Sequence, residues 1–206
     1  MAIALVHHPV VDRRGDRVSA ALTNLDLHDL ARLATTYGLA RFYLVVPAAE
    51  QQALAQRIIG HWREGFGASY NVDRSQALST VVIVDRLEDA EADWRQVVSE
   101  EGAPVTLLTG ARHAVGLDFP AAQQLAGQQP VMLVFGTGHG LADELYTSAR
   151  QTLQAVRRGG YNHLSVRTAA AIILDRLIGD SGELVIPAPF RNASVRDSSC
   201  SSVGAT

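Results

Sequence analysis

The sequence predicts an α/β fold, a mostly parallel sheet with helices on both faces. Short, continuously apolar runs alternate with amphipathic helical periods along the chain, and such runs are strands buried on both sides. The run Val131-Met-Leu-Val-Phe-Gly136 empties into a loop with glycine at every second position, Gly136, Gly138 and Gly140. Parallel sheets hold their ligands in loops of this kind, at the carboxyl ends of the strands. Backbone N–H groups freed of side chains there are expected to close on the ligand.

Residues 2–6 form the first expected strand. A helix over 24–37 puts Leu27, Leu30, Ala31 and Ala34 at i, i+3, i+4 and i+7 and ends at Gly38. A strand over 42–46 stops at Pro47, and the helix that follows, about 48–62, carries Leu54, Ile58 and Trp62 on one face. The strand 80–84 passes through Asp85 into a helix over 87–98, with Trp94, Val97 and Val98 as its buried stripe. Pro104 opens a strand over 105–108, and a short helix near 121–125 leads to the glycine-loop strand. Ser165 is the expected N-cap of the last helix, in which Val166, Ala169, Ala170, Ile173 and Leu177 have core spacing, and Gly179 stops it. Three loops therefore meet at the ligand end of the sheet: 109–111, 136–140 and 155–160. From Asp180 the pattern collapses into Pro187, Pro189 and a Ser-rich run, so residues 1–179 read as one domain and 180–206 as a disordered tail.

Composition excludes several classes. With 206 residues, 47% of them hydrophobic, the chain can bury a full core. No apolar run approaches the roughly 18 residues of a membrane span, and the N-terminus lacks a basic region and a cleavage site, so a cytoplasmic protein without a membrane partner is expected. The only cysteine, Cys200, lies in the tail, which removes a disulfide framework and a multi-cysteine zinc site. All 18 basic residues are arginine, which removes a P-loop lysine and a Schiff-base lysine. No metal is expected, because His7, His8 and His28 have no acidic or cysteine partner at ligand spacing. A net charge of −3 argues against nonspecific coating of nucleic acid.

The glycine loop alone is ambiguous. Its spacing is Gly-x-Gly-x-Gly on a late strand, not the Gly-x-Gly-x-x-Gly of a dinucleotide fold, and a structural turn explains it equally well. Taken with two further segments, Asn24-Leu-Asp-Leu-His-Asp-Leu-Ala-Arg32-Leu-Ala34 through Gly38 and Asn162-His-Leu-Ser-Val-Arg-Thr-Ala-Ala-Ala-Ile172, the chain resembles the SPOUT superfamily of S-adenosylmethionine-dependent RNA methyltransferases. It is most similar to a small bacterial family of stand-alone SPOUT RNA methyltransferases, through His8-Pro9, Thr23 to Arg32, His61-Trp62, Tyr70-Asn71 and Asn162 to Arg167. The likeness spans roughly residues 1–179.

That resemblance implies a deep C-terminal trefoil knot, in which the last helix threads a preceding loop against the usual rule. It also implies a homodimer packed through the knots, with RNA across it, and S-adenosyl-L-methionine held in the knot loops and released as S-adenosyl-L-homocysteine. Gly136 matches the first loop glycine at the cofactor. Ala155 and Val156 match the turn facing adenine, where relatives commonly have Ile-Pro, and Leu164 matches the knot-loop leucine. Thr109 and Gly110 match the first cofactor loop, and Phe135, Thr137, Gly138, Gly140 and Asn162 complete the expected set. Arg32 matches the arginine of the catalytic centre; its guanidinium stays protonated near neutral pH, so binding or orienting a phosphate is easier for it than acting as a base. Asp29, three residues earlier on the same face, orients Arg32, accepts a proton, or is only a helix-start charge. Asn24 is a catalytic candidate or an N-cap. Arg13, Arg14 and Arg17, around Gly15, and Arg167 near the knot are candidates for RNA phosphate, with a solvated turn the alternative for the first three. His139 faces cofactor, RNA or solvent.

The leading expectation is a SAM-dependent methyltransferase of tRNA or rRNA, with a base nitrogen or a ribose 2′-hydroxyl as acceptor. The alternatives are a non-catalytic SPOUT-fold RNA-binding or regulatory protein that retains the pocket, and a nucleotide-binding α/β protein with no knot.

Overall fold

A computed structural model describes residues 1–64, 66–112, 115–157 and 159–179; the tail expected at 180–206 lies outside the described residues. The chain begins with β1 (Ala2–Val6), a hairpin of β2 (Val10–Val11) and β3 (Arg17–Val18), α1 (Asn24–Thr36) and β4 (Arg41–Val45). Next come α2 (Ala49–Arg63), α3 (Phe66–Tyr70), α4 (Val72–Leu78), β5 (Val81–Val84) and α5 (Leu87–Val97). The C-terminal part holds β6 (Val105–Leu108), α6 (Phe119–Gln128), β7 (Val131–Gly136), β8 (Gln151–Thr152) and α7 (Val166–Ile178).

Six strands form one sheet in the order β5-β4-β1-β7-β6-β8, and each pairing is parallel. The central strand β1 is fully buried along its length, as a strand with helices or loops on both faces must be. Its alternating side chains feed two cores. Ile3 and Leu5 join Leu27, Leu30, Phe42, Leu133, Phe135 and Leu174 on the face covered by α1, α2, α4, α6 and α7. Ala4 and Val6 join Tyr43, Met132, Val134 and Trp94 on the face covered by α5 and the segment at Leu141 and Leu145.

The local signals hold with three corrections. The buried face of α2 is Ala55 and Ile59, with Ile58 and Trp62 half-buried and Leu54 exposed. Ala55 marks the closest approach to the core, and the larger side chains flank that contact. On α5 the stripe is Leu87, Ala90, Trp94 and the following Val98, while Val97 is exposed, one position off the i, i+4 line. Asn24 is not the cap of α1. Thr23 is: its Oγ1 accepts from the Asp26 amide at 3.0 Å and donates to Asp26 Oδ2 at 2.6 Å. Ser165 caps α7 as expected, accepting from the Thr168 amide.

The 109–117 segment is bonded to the chain that precedes α7. Leu117 donates to the Thr152 carbonyl and Gln154 to that of Leu117, Gln154 Nε2 reaches the Gly116 carbonyl, and Asn162 Nδ2 reaches that of Ala111. These bonds hold the two loops against each other.

Candidate cofactor and catalytic site

The C-terminal ends of β6 and β7 open into a cavity of about 700 Å³, a volume suited to a small organic ligand. Its walls are residues 109–112, 135–140, 154–156 and 160–166, completed by Asp12, Arg13, Asp26, Ala169 and Ile173. All the residues expected at a cofactor, Thr109, Gly110, Phe135, Gly136, Thr137, Gly138, Gly140, Ala155, Val156, Asn162 and Leu164, line this one space.

The glycine loop works differently from the expectation. Several of its amides are already bonded within the chain: Thr137 to the Val6 carbonyl, His139 to that of Val11 and Gly140 to that of Thr137. The glycines serve close packing of backbone on backbone. A Cβ on Gly136 would lie 2.6 Å from the Leu141 nitrogen. Gly138, at φ +59°, would place one 3.0 Å from the Val11 carbonyl oxygen, in a conformation that glycine tolerates. The loop is thereby locked to the β2–β3 hairpin, which brings Asp12 and Arg13 to the cavity.

Other walls retain open polar groups. Thr109 is buried and its Oγ1 donates to the Val134 carbonyl, which fixes the first loop. Asn162 Nδ2 bridges the carbonyls of Ala111 and Arg157, tying two walls together. Among the described residues, none accepts from the amides of Ala155 and Val156.

Beside this cavity lies a groove between α1 and α7, lined by Asp29, Arg32, Leu33, Thr36, Arg167 and Thr168 among others, and Ser165 lines both spaces. Arg167 spans them. Its Nη1 donates to Asp29 Oδ2 at 2.9 Å. Its Nε lies 3.1 Å from Asp26 Oδ1, close enough for an ion pair but not aligned as a hydrogen bond. Arg32 stands exposed in the groove, one helical turn beyond Asp29. Asn24 lines neither space.

Of the arginines expected at RNA, Arg13 lines the cavity. Arg14 sits in the hairpin turn, its amide bonded to Asp12 Oδ1. Arg17 is partly engaged, 3.1 Å from His8 Nε2 and 3.4 Å from Glu144. Sequence reading missed Asp12, Arg112, Tyr161 and His163 as cavity residues. Only the Tyr161-Asn-His alternation in a glycine-flanked loop carried a signal for the last two.

Two histidines lie deeper. His7 follows β1, is 1% exposed, and neither ring nitrogen has a hydrogen-bond partner of full geometry. Burial lowers its pKa, opposed by the backbone of Ala20 and the Asp26 carboxylate. Burial also lowers that of His28, helped by the nearby Arg74 guanidinium. No group of three or more His, Cys, Asp or Glu suited to a metal occurs among the described residues.

The cavity fits S-adenosylmethionine by its chemistry. Phe135, Val156, Leu164 and Ile173 offer apolar contact, and the Ala155 and Val156 amides are donors for a base edge.

A parallel sheet whose C-terminal loops converge on such a cavity is the architecture of a group of solved methyltransferases. The SpoU methyltransferase AviRb from Streptomyces viridochromogenes, solved in complex with AdoMet, shares this fold at a TM-score of 0.52 and 14% identity, over 86% of this chain and 56% of that one. A family model described as SAM-dependent RNA methyltransferase matches residues 1–179, and the chain belongs to that family. A protein of Oleidesulfovibrio alaskensis (strain G20) named tRNA (guanine-N(1)-)-methyltransferase is 42% identical over 179 residues, covering 86% of this chain and 42% of that protein. An uncharacterised protein of Aquifex aeolicus (strain VF5) is 34% identical over 180 residues, covering 85% of this chain and 86% of its own length. The chain thus spans about two-fifths of the length of the named relatives it matches.

Proposed function

We propose that this chain transfers a methyl group from S-adenosylmethionine to RNA, with tRNA the first substrate class to test and rRNA the second. The observation that carries this reading is the convergence of all three family loops on one cavity, joined through Ser165 and Arg167 to the groove that holds Arg32. The relatives named for tRNA support the substrate class. Their greater length leaves the guanine N1 specificity with the longer protein.

The bound donor supplies an electrophilic methyl on a sulfonium, so the chain's task is alignment, exclusion of water and handling of one proton. Thr109, Gly110, the 135–140 loop, Ala155, Val156, Asn162 and Leu164 would hold the donor. Arg32 would orient the acceptor nucleotide through its phosphate, a role suited to a permanently charged planar fork. Asp29, held by Arg167, would orient the helix face that carries Arg32 or accept the proton. Arg13 and Arg14 remain phosphate candidates at the hairpin. Arg17 has two partners already, and Arg167 is a positioning residue more than a phosphate hook. Asn24, exposed on the first turn of α1, is left with a contact to RNA as its role. The dimer implied by the resemblance would cover the α1–α7 groove. Among the described residues, no helix is long and apolar enough to cross a membrane, and we place the enzyme with its RNA in the cytoplasm.

Calorimetry with S-adenosylhomocysteine, followed by nucleoside mass spectrometry of RNA from a strain lacking the gene, tests the proposal. Binding together with one missing methylated nucleoside, restored by the wild-type gene, is expected. Binding with no missing nucleoside would favour the non-catalytic RNA-binding reading. Preference for ATP would sink both.

A further inference from the structure

Three exposed rings stand in a row among the residues that line the cavity. Tyr161, His163 and His139 all line the cavity and are exposed, Tyr161 by 86%. The Tyr161 and His163 rings are 5.9 Å apart at 38°, and those of His163 and His139 are 6.1 Å apart at 79°. The rings come from two separate loops, so chain neighbourhood alone does not explain the row. Backbone geometry sets it up. Gly160 at φ +73° turns the chain into Tyr161. Asn162 points inward to the carbonyls of Ala111 and Arg157, which in an extended segment sends its neighbours 161 and 163 to the opposite side.

We propose that Tyr161, His163 and His139 form a shelf on which an unstacked nucleobase of the RNA rests beside the donor cavity. The inference rests on the methyltransferase reading above and assigns the acceptor subsite within it. Aromatic and imidazole faces take up splayed bases of single-stranded RNA, and every base has a π-face to offer. Cations stand on the same rim. Arg112 Nη2 donates to the His139 carbonyl at 2.5 Å, which holds its guanidinium beside the rings, and Arg13 lines the same cavity. Both are of the type that meets phosphate. The nearby carboxylates are occupied: Asp12 Oδ1 accepts from the amides of Arg14 and Asp16, and Asp26 is engaged by Thr23 and Arg167. A paired base hides its faces inside the duplex, so the occupant is an unpaired nucleotide.

The test uses the whole chain saturated with S-adenosylhomocysteine and a fluorescent 12-nucleotide single-stranded RNA of mixed sequence, compared with its blunt duplex. Wild type should prefer the single strand. With each variant saturated with S-adenosylhomocysteine as judged by its own calorimetric titration, Tyr161→Ala and His163→Ala should weaken single-strand binding by about five- to a hundred-fold, and Tyr161→Phe should stay within about two-fold of wild type. Unchanged RNA affinity in both alanine variants, or no preference for the single strand, overturns the shelf and leaves the cofactor reading intact. Failure of wild type to bind S-adenosylhomocysteine overturns the reading beneath it.

Discussion

Arg167, at the start of α7, donates to Asp29 of α1 across 2.9 Å, a bond between residues 138 positions apart in the chain. The same guanidinium is 3.1 Å from Asp26, which lines the cavity. One side chain thus fixes the helix that carries Arg32 against the wall that holds the donor.

Because this pair is partly exposed, its contribution to stability is small. Arg167→Ala should therefore lower Tm by only about 2–4 °C while lowering kcat/KM for RNA by at least about ten-fold, because a small misplacement of the helix is costly to alignment. Arg167→Lys keeps the charge without the fork and should fall between. A loss of Tm with no loss of kcat/KM would make the contact merely structural.

Arg32→Ala should reduce methyl transfer by about 10²-fold or more with affinity for S-adenosylhomocysteine unchanged, since Arg32 lies in the groove and not in the cavity wall. Single-turnover transfer and calorimetry on the same preparation separate the two effects. Equal losses in both would remove Arg32 from the acceptor side.

Gly136→Ala is expected to destabilise by about 1–3 kcal/mol and to weaken S-adenosylhomocysteine binding, because the added carbon meets backbone atoms of Leu141 and Gly140 at 2.6 and 2.9 Å. Gly60→Ala is the control. It lies inside α2 with open space around its would-be Cβ, and should stabilise by about 0.5–1 kcal/mol through helix propensity. Thermal melts of the two variants should move in opposite directions.

Much of this architecture is legible locally. Ser165 caps its helix because a hydroxyl three residues before an amide is a short-range event, and β1 and β7 read as strands because continuous apolar runs have one stable home in a parallel sheet. The β2–β3 hairpin has two residues per strand and escapes any periodicity, and α3 and α4 are too short to display one. At the site, the cofactor loops are recognisable as motifs. Their internal bonding, with Val11 accepting from His139 and Arg167 reaching Asp29, depends on segments more than 100 residues apart. Asn24 and Thr23 illustrate the finer limit: both are good caps by type, and the geometry chooses Thr23.

Arg150 offers a stability test away from the site. Its side chain is 7% exposed, bonds both oxygens of Glu91 at 2.7 and 2.9 Å and Glu88 at 2.8 Å, and also reaches the Leu145 carbonyl. It clamps the segment after β7 onto α5. Arg150→Met should cost about 3 kcal/mol by stranding Glu91, a fall in Tm of roughly 6–12 °C for a chain of this size. The loss should shrink in the Glu91→Gln background, where no buried charge is left unpaired. An additive double variant would refute the coupling.

His7, buried, and His28, half-buried, set the acid limit. Burial holds the pKa of His7 below the unfolded value of about 6.5, and burial together with Arg74 does the same for His28. As pH falls through that value the unfolded chain takes up protons that the folded chain refuses, so stability is full above neutrality and declines below about pH 6.5. The slope is at most about 1.4 kcal/mol per pH unit for each histidine. Denaturation by urea at pH 7.5, 6.5 and 5.5 should show this decline in wild type and a flatter profile in His7→Gln, flatter again with His28→Gln added. The window stays above the ordinary carboxylate range, and the Arg150 guanidinium holds the Glu88 carboxyl lower still. An identical slope in wild type and the double variant would show that neither ring is held neutral by the fold.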